Sequence, residues 1–392
     1  MASKQKRDSA AAAAGSGESI AESIARIDDI LAHAGMEHGK RTTRLGMTGL
    51  RRDEKTFKDW PRAGKIKRSS GIETVVAPTW NAKEIPWLRH GFSTRSGGCS
   101  IAYLEDGAAS TGELNLSWTQ EDDPASVAEN RARFVAAIAG RRRKNAGGAH
   151  QTSGARLVTL RQIHSGLIHI VTGENAASAT VRRTDKDREP LLLSTADGRA
   201  VVRGDGMMTN VPGLLLGIQT ADCVPVLLVD TRTKAVAAFH AGWKGTLARI
   251  VERGVGRMRL EYGSSPKDIL ASIGPSIGPC CYSIGEEVRH EFTSQFSYAD
   301  TLFSEVYDRD PIRKKYPMLF LTQRAPGHSD IGPQTHLDLW EANLRQLLAA
   351  GVKRKNITVM GECTACNSIR YFSHRAQHGF TGRMMNVVGV AG

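Results

Sequence analysis

Apolar residues fall along this chain in two rhythms. Short apolar runs of strand length lie at 157–160, 213–218, 224–229, 235–239, 269–273 and 357–360. They are bounded by turn and polar residues, and they predict β-strands. Helical spacing governs 126–139, 246–261, 285–296 and 338–350. The last is the clearest case. Asp338 stands where an N-cap belongs, Leu339, Leu344, Leu347 and Leu348 share a face, and Gly351 follows as the residue after the cap. Three strands come in succession (213–218, 224–229, 235–239) while others adjoin helices. That order predicts an α+β fold with mixed sheets rather than a doubly wound one, and no internal repeat is visible.

The polar stretches between these elements divide the chain. Residues 1–75 read as an N-terminal extension that opens on a low-complexity alanine run. Within it, 19–35 has apolar positions at helical spacing, with Ser19 as N-cap, Glu22 three residues on and Gly35 at the end. That single helix is a candidate element for a protein partner. Segments 141–155, 173–203 and 300–335 read as loop insertions in the remaining domain, 76–392.

Composition narrows the class. Hydrophobic residues make up 40% of the 392, enough for a large core and too many for global disorder. No run reaches the ~18 apolar residues of a membrane span; the richest, beginning at Pro212, is interrupted by Gln219, Thr220 and Asp222. Six cysteines are too few for a disulfide scaffold, and the first thirty residues lack a secretory pattern. A reducing, cytoplasmic setting is therefore expected. The formal charge of +13 raises the question of nucleic acid. Residues 40–70 hold eleven Lys or Arg against three acids, and 141–144 is Arg-Arg-Arg-Lys. These two segments carry twelve of the thirteen charges, so the excess belongs to a tail and a loop, and no nucleic-acid-binding motif accompanies it.

Three segments place reactive side chains at strand ends: Arg161-Gln162-Ile163-His164, Thr220-Ala221-Asp222-Cys223, and His240-Ala241-Gly242-Trp243-Lys244. Cys223 and His240 flank one apolar strand pair and can lie side by side. Two His and one Cys can hold Zn²⁺ with a fourth position open, the catalytic arrangement. From the residues alone the same trio also reads as a packed cysteine and hydrogen-bonded core histidines.

Taken together, the TADC, FHAGWKG and IGPSIGPCCYSIGEEV segments resemble the laccase-domain family, the multicopper polyphenol oxidoreductases also described as purine nucleoside phosphorylases. RHGFSTRSGG (89–98), LDLWEANLRQLLAAGV (337–352) and GECTAC through TGRMMNVVGV (361–390) extend the resemblance over about 80–392. The resemblance implies a single sandwich-like domain of mixed sheets flanked by helices. It implies a zinc ion, or copper in older descriptions, on His164, Cys223 and His240, which would also be the catalytic residues. It implies phosphorolysis of adenosine, inosine, guanosine and methylthioadenosine with adenosine deamination, the partners being purine nucleosides and inorganic phosphate. Arg95, Arg161 and Lys244 lie beside the signature positions and are the candidate phosphate ligands. Asp222, next to Cys223, is the candidate to steady a ligand or carry a proton.

Other readings stay open at this stage. One is a copper-dependent polyphenol oxidase, although no His-x-His pair occurs. Another is a hydrolase with Cys223 as nucleophile beside a histidine, and a third is a basic nucleic-acid-binding protein. Cys363-Thr-Ala-Cys366 reads as a single pair with a structural or disulfide role. Cys280-Cys281 reads as packing in a turn.

Overall fold

The computed structural model describes residues 64–69, 71–104, 112–140, 155–174, 177–182, 194–195, 198–306 and 334–392. The helix expected at 19–35, the basic residues up to Arg62 and the run 141–144 lie outside them.

Two sheets face each other. The first has six strands in the order β1 (Lys65–Ser69), β2 (Ile72–Val76), β3 (Leu88–Ser93), β16 (Met384–Val390), β9 (Leu214–Thr220) and β5 (Arg156–Thr159). The second has seven: β15 (Ile357–Val359), β12 (Ile269–Ile273), β10 (Val224–Asp230), β11 (Val236–Ala241), β8 (Gly206–Thr209), β6 (Ile168–Thr172) and β7 (Thr180–Arg182). Both are mixed: β5 and β9 run parallel in the first, as do β12 with β15 and β6 with β8 in the second, while the other neighbours are antiparallel. A short strand β4 (Ser96–Ser100) bridges to Glu113, and β13 (Phe303–Val306) pairs with β14 (Gln334–Leu337) as a separate ribbon.

Strand alternation explains the layering. In β10, Leu227 and Val229 face the first sheet, together with Val236 and Ala238 of β11, and meet Leu216, Ile218 and Val388 there. Val226, Leu228 and Phe239 point the other way, into a core shared with the helices α3 (Ile250–Tyr262) and α5 (Leu339–Ala349). A strand covered on both faces must be apolar at every position, which is why 224–229 and 235–239 are unbroken runs. The outer face of the first sheet is covered by α1 (Pro124–Ala139), whose Phe134 packs on Ile72, Met385 and Val387. Layers therefore run helix, sheet, sheet, helices.

Side chains cap two of the described helices, Asp338 as read from the sequence and Asp123 as a finding of the structure. Asp123 caps α1 through Ser126 N–H at 2.9 Å, and Asp338 caps α5 through Glu341 N–H at 3.0 Å. The expected helix 246–261 is two helices, α2 (Trp243–Leu247) and α3, because Arg249 takes a left-handed conformation with φ 54°. Its guanidinium is held by Glu252 and by the Gln295 carbonyl. The helix expected at 285–296 is α4 (Glu286–Gln295).

Three expected segments are revised. The 1–75 extension ends earlier, since β1 and β2 are part of the first sheet. β1 is its edge, exposed at all five residues, so Lys65, Lys67 and Arg68 are the charges of an edge strand, which discourage pairing with another chain. Within the 173–203 insertion Thr180–Arg182 forms β7; Val181 alone is buried, and one apolar residue leaves no strand pattern to read. Of the 300–335 insertion, 303–306 and 334–335 lie in the β13–β14 ribbon.

Candidate metal centre and its cavity

The site lies where the chain changes sheets. After β5 it leaves the first sheet through 160–167 to enter β6 of the second; after β9 it does so again through Ala221, Asp222 and Cys223 to enter β10. The second crossing takes three residues, and Asp222 makes it at φ 88°. His164, on the first crossing, also has a positive φ of 57°. Side chains other than Gly pay for this conformation in steric strain, and such residues gather at functional sites. His240 comes from β11, where the ladder places it opposite Pro225, two residues past Cys223.

These three positions converge. One donor atom from each of His164, Cys223 and His240 lies within 4.8 Å of the others. Cys223 Sγ is 3.9 Å from His164 Nε2, and the two imidazoles stand edge to face with centroids 4.8 Å apart. Gly242, which starts α2, lets them close up: a Cβ there would meet Cys223 Sγ at 3.0 Å and His164 Cδ2 at 3.4 Å.

Asp205 organises the group. Its carboxylate, fully buried, takes His240 Nδ1 at 2.8 Å and accepts the N–H groups of Ile163, His164 and Ser165 and the Ser165 hydroxyl. One side chain thus fixes the ring of one donor and the loop that carries another. Because Nδ1 is committed to Asp205, His240 presents Nε2 to the cluster. Although burial works against ionisation, the hydrogen bonds from His240 and Ser165 outweigh it and hold the Asp205 carboxyl near 2. Burial raises the Cys223 thiol, but the charge of His240 and hydrogen bonds from both histidines overcome that and bring it to about 6. Burial likewise opposes charge on His240, yet the facing thiolate and Asp205 raise it to about 9. The trio is therefore poised to ionise as a thiolate beside an imidazolium, or to exchange that proton for a cation.

A cavity of about 770 Å³ opens on the trio. Arg161, Arg199 and Arg383 line it with Trp118, Gln162, Gln219 and His374. Gln162 is locked to Gln219, donating to its carbonyl at 2.8 Å and accepting its N–H at 2.7 Å, so the His164 loop is tied to β9. Arg199 lies over the Trp118 ring at 5.2 Å, and Arg383 is braced by the carbonyls of Thr381 and Gly382.

Of the cations expected to hold phosphate, Arg161 is on the cavity wall. Arg95 is elsewhere: it is buried in an ion pair with Glu113, donates to the Ser368 carbonyl and lies over Phe372. Its charge is thus committed inside the protein. Lys244 is exposed on α2 with its ammonium over Trp243, and does not line the cavity. Asp222 turns away from the trio. Its carboxylate accepts Thr364 Oγ1 (2.6 Å), Ser373 Oγ (2.7 Å) and Arg375 N–H (2.6 Å), pinning the C-terminal loops against the site. The residue that orients a donor is Asp205, which the sequence reading missed. Its one signal is an acid between two glycines at the start of a strand. Arg199, Arg383 and His374 were missed as well; each is isolated in sequence and reaches the cavity only through the fold.

Comparison with known proteins agrees with this picture. The chain is 31% identical over 306 residues to purine nucleoside phosphorylase YlmD of Geobacillus stearothermophilus, covering 77% of this chain and 94% of the relative. It is 33% identical over 301 residues to a purine nucleoside phosphorylase of Deinococcus radiodurans (77% and 88%), and 32% identical over 222 residues to adenosine deaminase RL5 of an unknown prokaryote (56% and 75%). The solved structure of YlmD from Geobacillus stearothermophilus superposes with a TM-score of 0.60 at 27% identity, covering 85% of this chain and all of that one. The Bacillus licheniformis hypothetical protein YfiH also gives 0.60, at 26% identity, with 83% and 98% covered. The family model described as multi-copper polyphenol oxidoreductase laccase matches residues 89–391, and this chain belongs to that family.

Proposed function

We propose that the cavity is the active site of a purine nucleoside phosphorylase acting on adenosine, inosine, guanosine and methylthioadenosine, with adenosine deamination as a second activity. One observation carries the reading: three soft-to-borderline donors and three arginines face the same 770 Å³ space. Phosphorolysis needs an anion held beside a nucleoside, and the names of the relatives point the same way.

The donor set fits a zinc ion. Two imidazoles and a thiol of lowered pKa lie within 4.8 Å, and the cavity supplies the open fourth direction of a catalytic site. When bound, zinc supplies a Lewis acid that can polarise a substrate atom or ionise a water near neutral pH. The chain's own residues do the rest. Asp205 keeps His240 in one tautomer and orientation. Arg161, Arg199 and Arg383 offer forked guanidinium donors to phosphate, which such groups grip in two-point fashion. Trp118 seats the Arg199 guanidinium on the cavity wall, and the Gln162–Gln219 lock keeps the His164 loop from drifting. His374, exposed at the cavity, is placed to exchange a proton with the substrate.

The family description names copper, and a His₂Cys set suits that metal too. The absence of any His-x-His pair in the chain argues against a several-copper oxidase. The described residues contain no helix long and apolar enough to cross a membrane, and their six cysteines are free; a reducing cytoplasmic location accords with this reading. The test is release of hypoxanthine from inosine with and without phosphate, in the wild type and in Cys223→Ala.

A further inference from the structure

A second cluster of donors lies outside the cavity. Cys280 and Cys281 sit in the turn after Gly278-Pro279, and Cys363 and Cys366 in the loop after β15. The two loops run side by side, joined by Ser276 N–H to the Glu362 carbonyl and Thr364 N–H to the Ser276 carbonyl. All four sulfurs lie within 4.8 Å of one another; Cys366 Sγ is 3.5 Å from Cys280 Sγ and 3.4 Å from Cys281 Sγ. A zinc–sulfur bond of about 2.3 Å puts the edges of a Zn(Cys)₄ tetrahedron at about 3.8 Å. The observed spacing brackets that value, and it is well beyond the ~2 Å of a disulfide.

We propose that Cys280, Cys281, Cys363 and Cys366 form a structural tetrathiolate zinc site. Sulfur-only, four-donor sets select zinc or iron among the common metals and leave no position open for substrate. Core packing does not explain the cluster, because Cys280 and Cys366 are exposed. The surroundings suit a metal-bound thiolate. Cys363 Sγ accepts the Gly278 N–H at 3.2 Å and the N–H of Cys366, bonds that orient and stabilise ligand sulfur. Arg375 donates to the Cys281 carbonyl at 3.3 Å and brings positive charge beside a complex that would carry two net negative charges. The exposed pair gives the ion a way in.

The position gives the site a purpose. Thr364, inside the Cys363–Cys366 loop, donates to Asp222 at 2.6 Å; Ile277, three residues before Cys280, donates to the Asp222 carbonyl at 2.8 Å. Asp222 precedes Cys223. The tetrathiolate would therefore cross-link the two loops that brace the strained turn carrying a donor of the first site.

Metal content of the full chain, purified reduced and measured by native mass spectrometry, tests this. Wild type is expected to carry two zinc ions, Cys223→Ala one, and the exposed-cysteine double variant Cys280→Ser/Cys366→Ser one. A cobalt(II) titration keeps the question open to a negative answer whatever those variants do to the fold. Cys223→Ala should develop the strong thiolate-to-cobalt absorption and visible bands of a tetrahedral sulfur site, and Cys223→Ala combined with Cys280→Ser and Cys366→Ser should not. The proposal is overturned if Cys223→Ala binds neither zinc nor cobalt while folded, or if peptide mapping of the reduced-purified protein finds Cys366 in a disulfide with Cys280 or Cys281.

Discussion

Single residues set the chemistry, and Asp205 is the one on which most depends. It holds His240 at Nδ1 and gathers three N–H groups of the His164 loop. Asp205→Asn removes the charge that holds His240 and weakens the grip on the loop, so metal affinity should fall about 10–100-fold, as is typical for loss of such a partner. Competition with a chromogenic chelator measures it; an affinity equal to wild type would remove Asp205 from the account. From the residues alone the trio was only a candidate, since a packed cysteine and hydrogen-bonded histidines fit the same pattern; the resemblance carried by the TADC and FHAGWKG segments is what singled it out. Asp205 was not legible, since hydrogen bonds to backbone N–H groups forty residues away leave no mark in composition or spacing. The four cysteines show the same limit. The sequence displays two pairs eighty residues apart, each insufficient alone, and only the parallel course of their loops makes a set of four.

At the scale of elements, two central strands were the clearest reading. The runs at 224–229 and 235–239 are unmistakable because both faces of β10 and β11 are covered. β1, β7 and the β13–β14 ribbon carry few buried positions and read as polar connection, but β8 and β16, buried at every residue, also went unread, so burial alone did not decide which strands were legible. The break between α2 and α3 was also invisible, as it depends on Arg249 adopting a left-handed conformation that its helical spacing does not announce. The Asp338 cap was legible in advance, that of Asp123 was not. Asp338→Ala should lower stability by about 1 kcal/mol through loss of the Glu341 N–H bond. Urea unfolding measures this, with metal content at the trio unchanged, because α5 supplies no donor.

At the scale of the molecule, charge and pH report on different sets of residues. Twelve of thirteen net charges lie in 40–70 and 141–144, while the described cavity draws its cations from scattered arginines in the folded core. Stability should depend on pH through His90, which burial, with a smaller contribution from Lys67, lowers to about 3. Its Nε2 accepts the Ala77 N–H, so the native state needs it neutral. The unfolded chain takes up this proton below about 6.5. The contribution is thus intact above pH 6.5 and is lost progressively as pH falls toward 3. Asp205, held near 2, adds to the loss only below about 4. Urea midpoints should fall between pH 7 and 4.5 in wild type and less steeply in His90→Gln; equal slopes would exclude His90 as the source.

If His164, Cys223 and His240 hold the metal proposed for them, nucleoside phosphorolysis depends on its occupancy. The direct test is the rate of hypoxanthine release from inosine in phosphate buffer, followed as zinc is returned to chelator-stripped protein. The expected result is a rate near zero without metal, a rise in step with occupancy of the trio, ribose 1-phosphate as the second product, and no recovery in Cys223→Ala. Hypoxanthine released at the same rate without phosphate, or full activity in stripped protein or in Cys223→Ala, would contradict it.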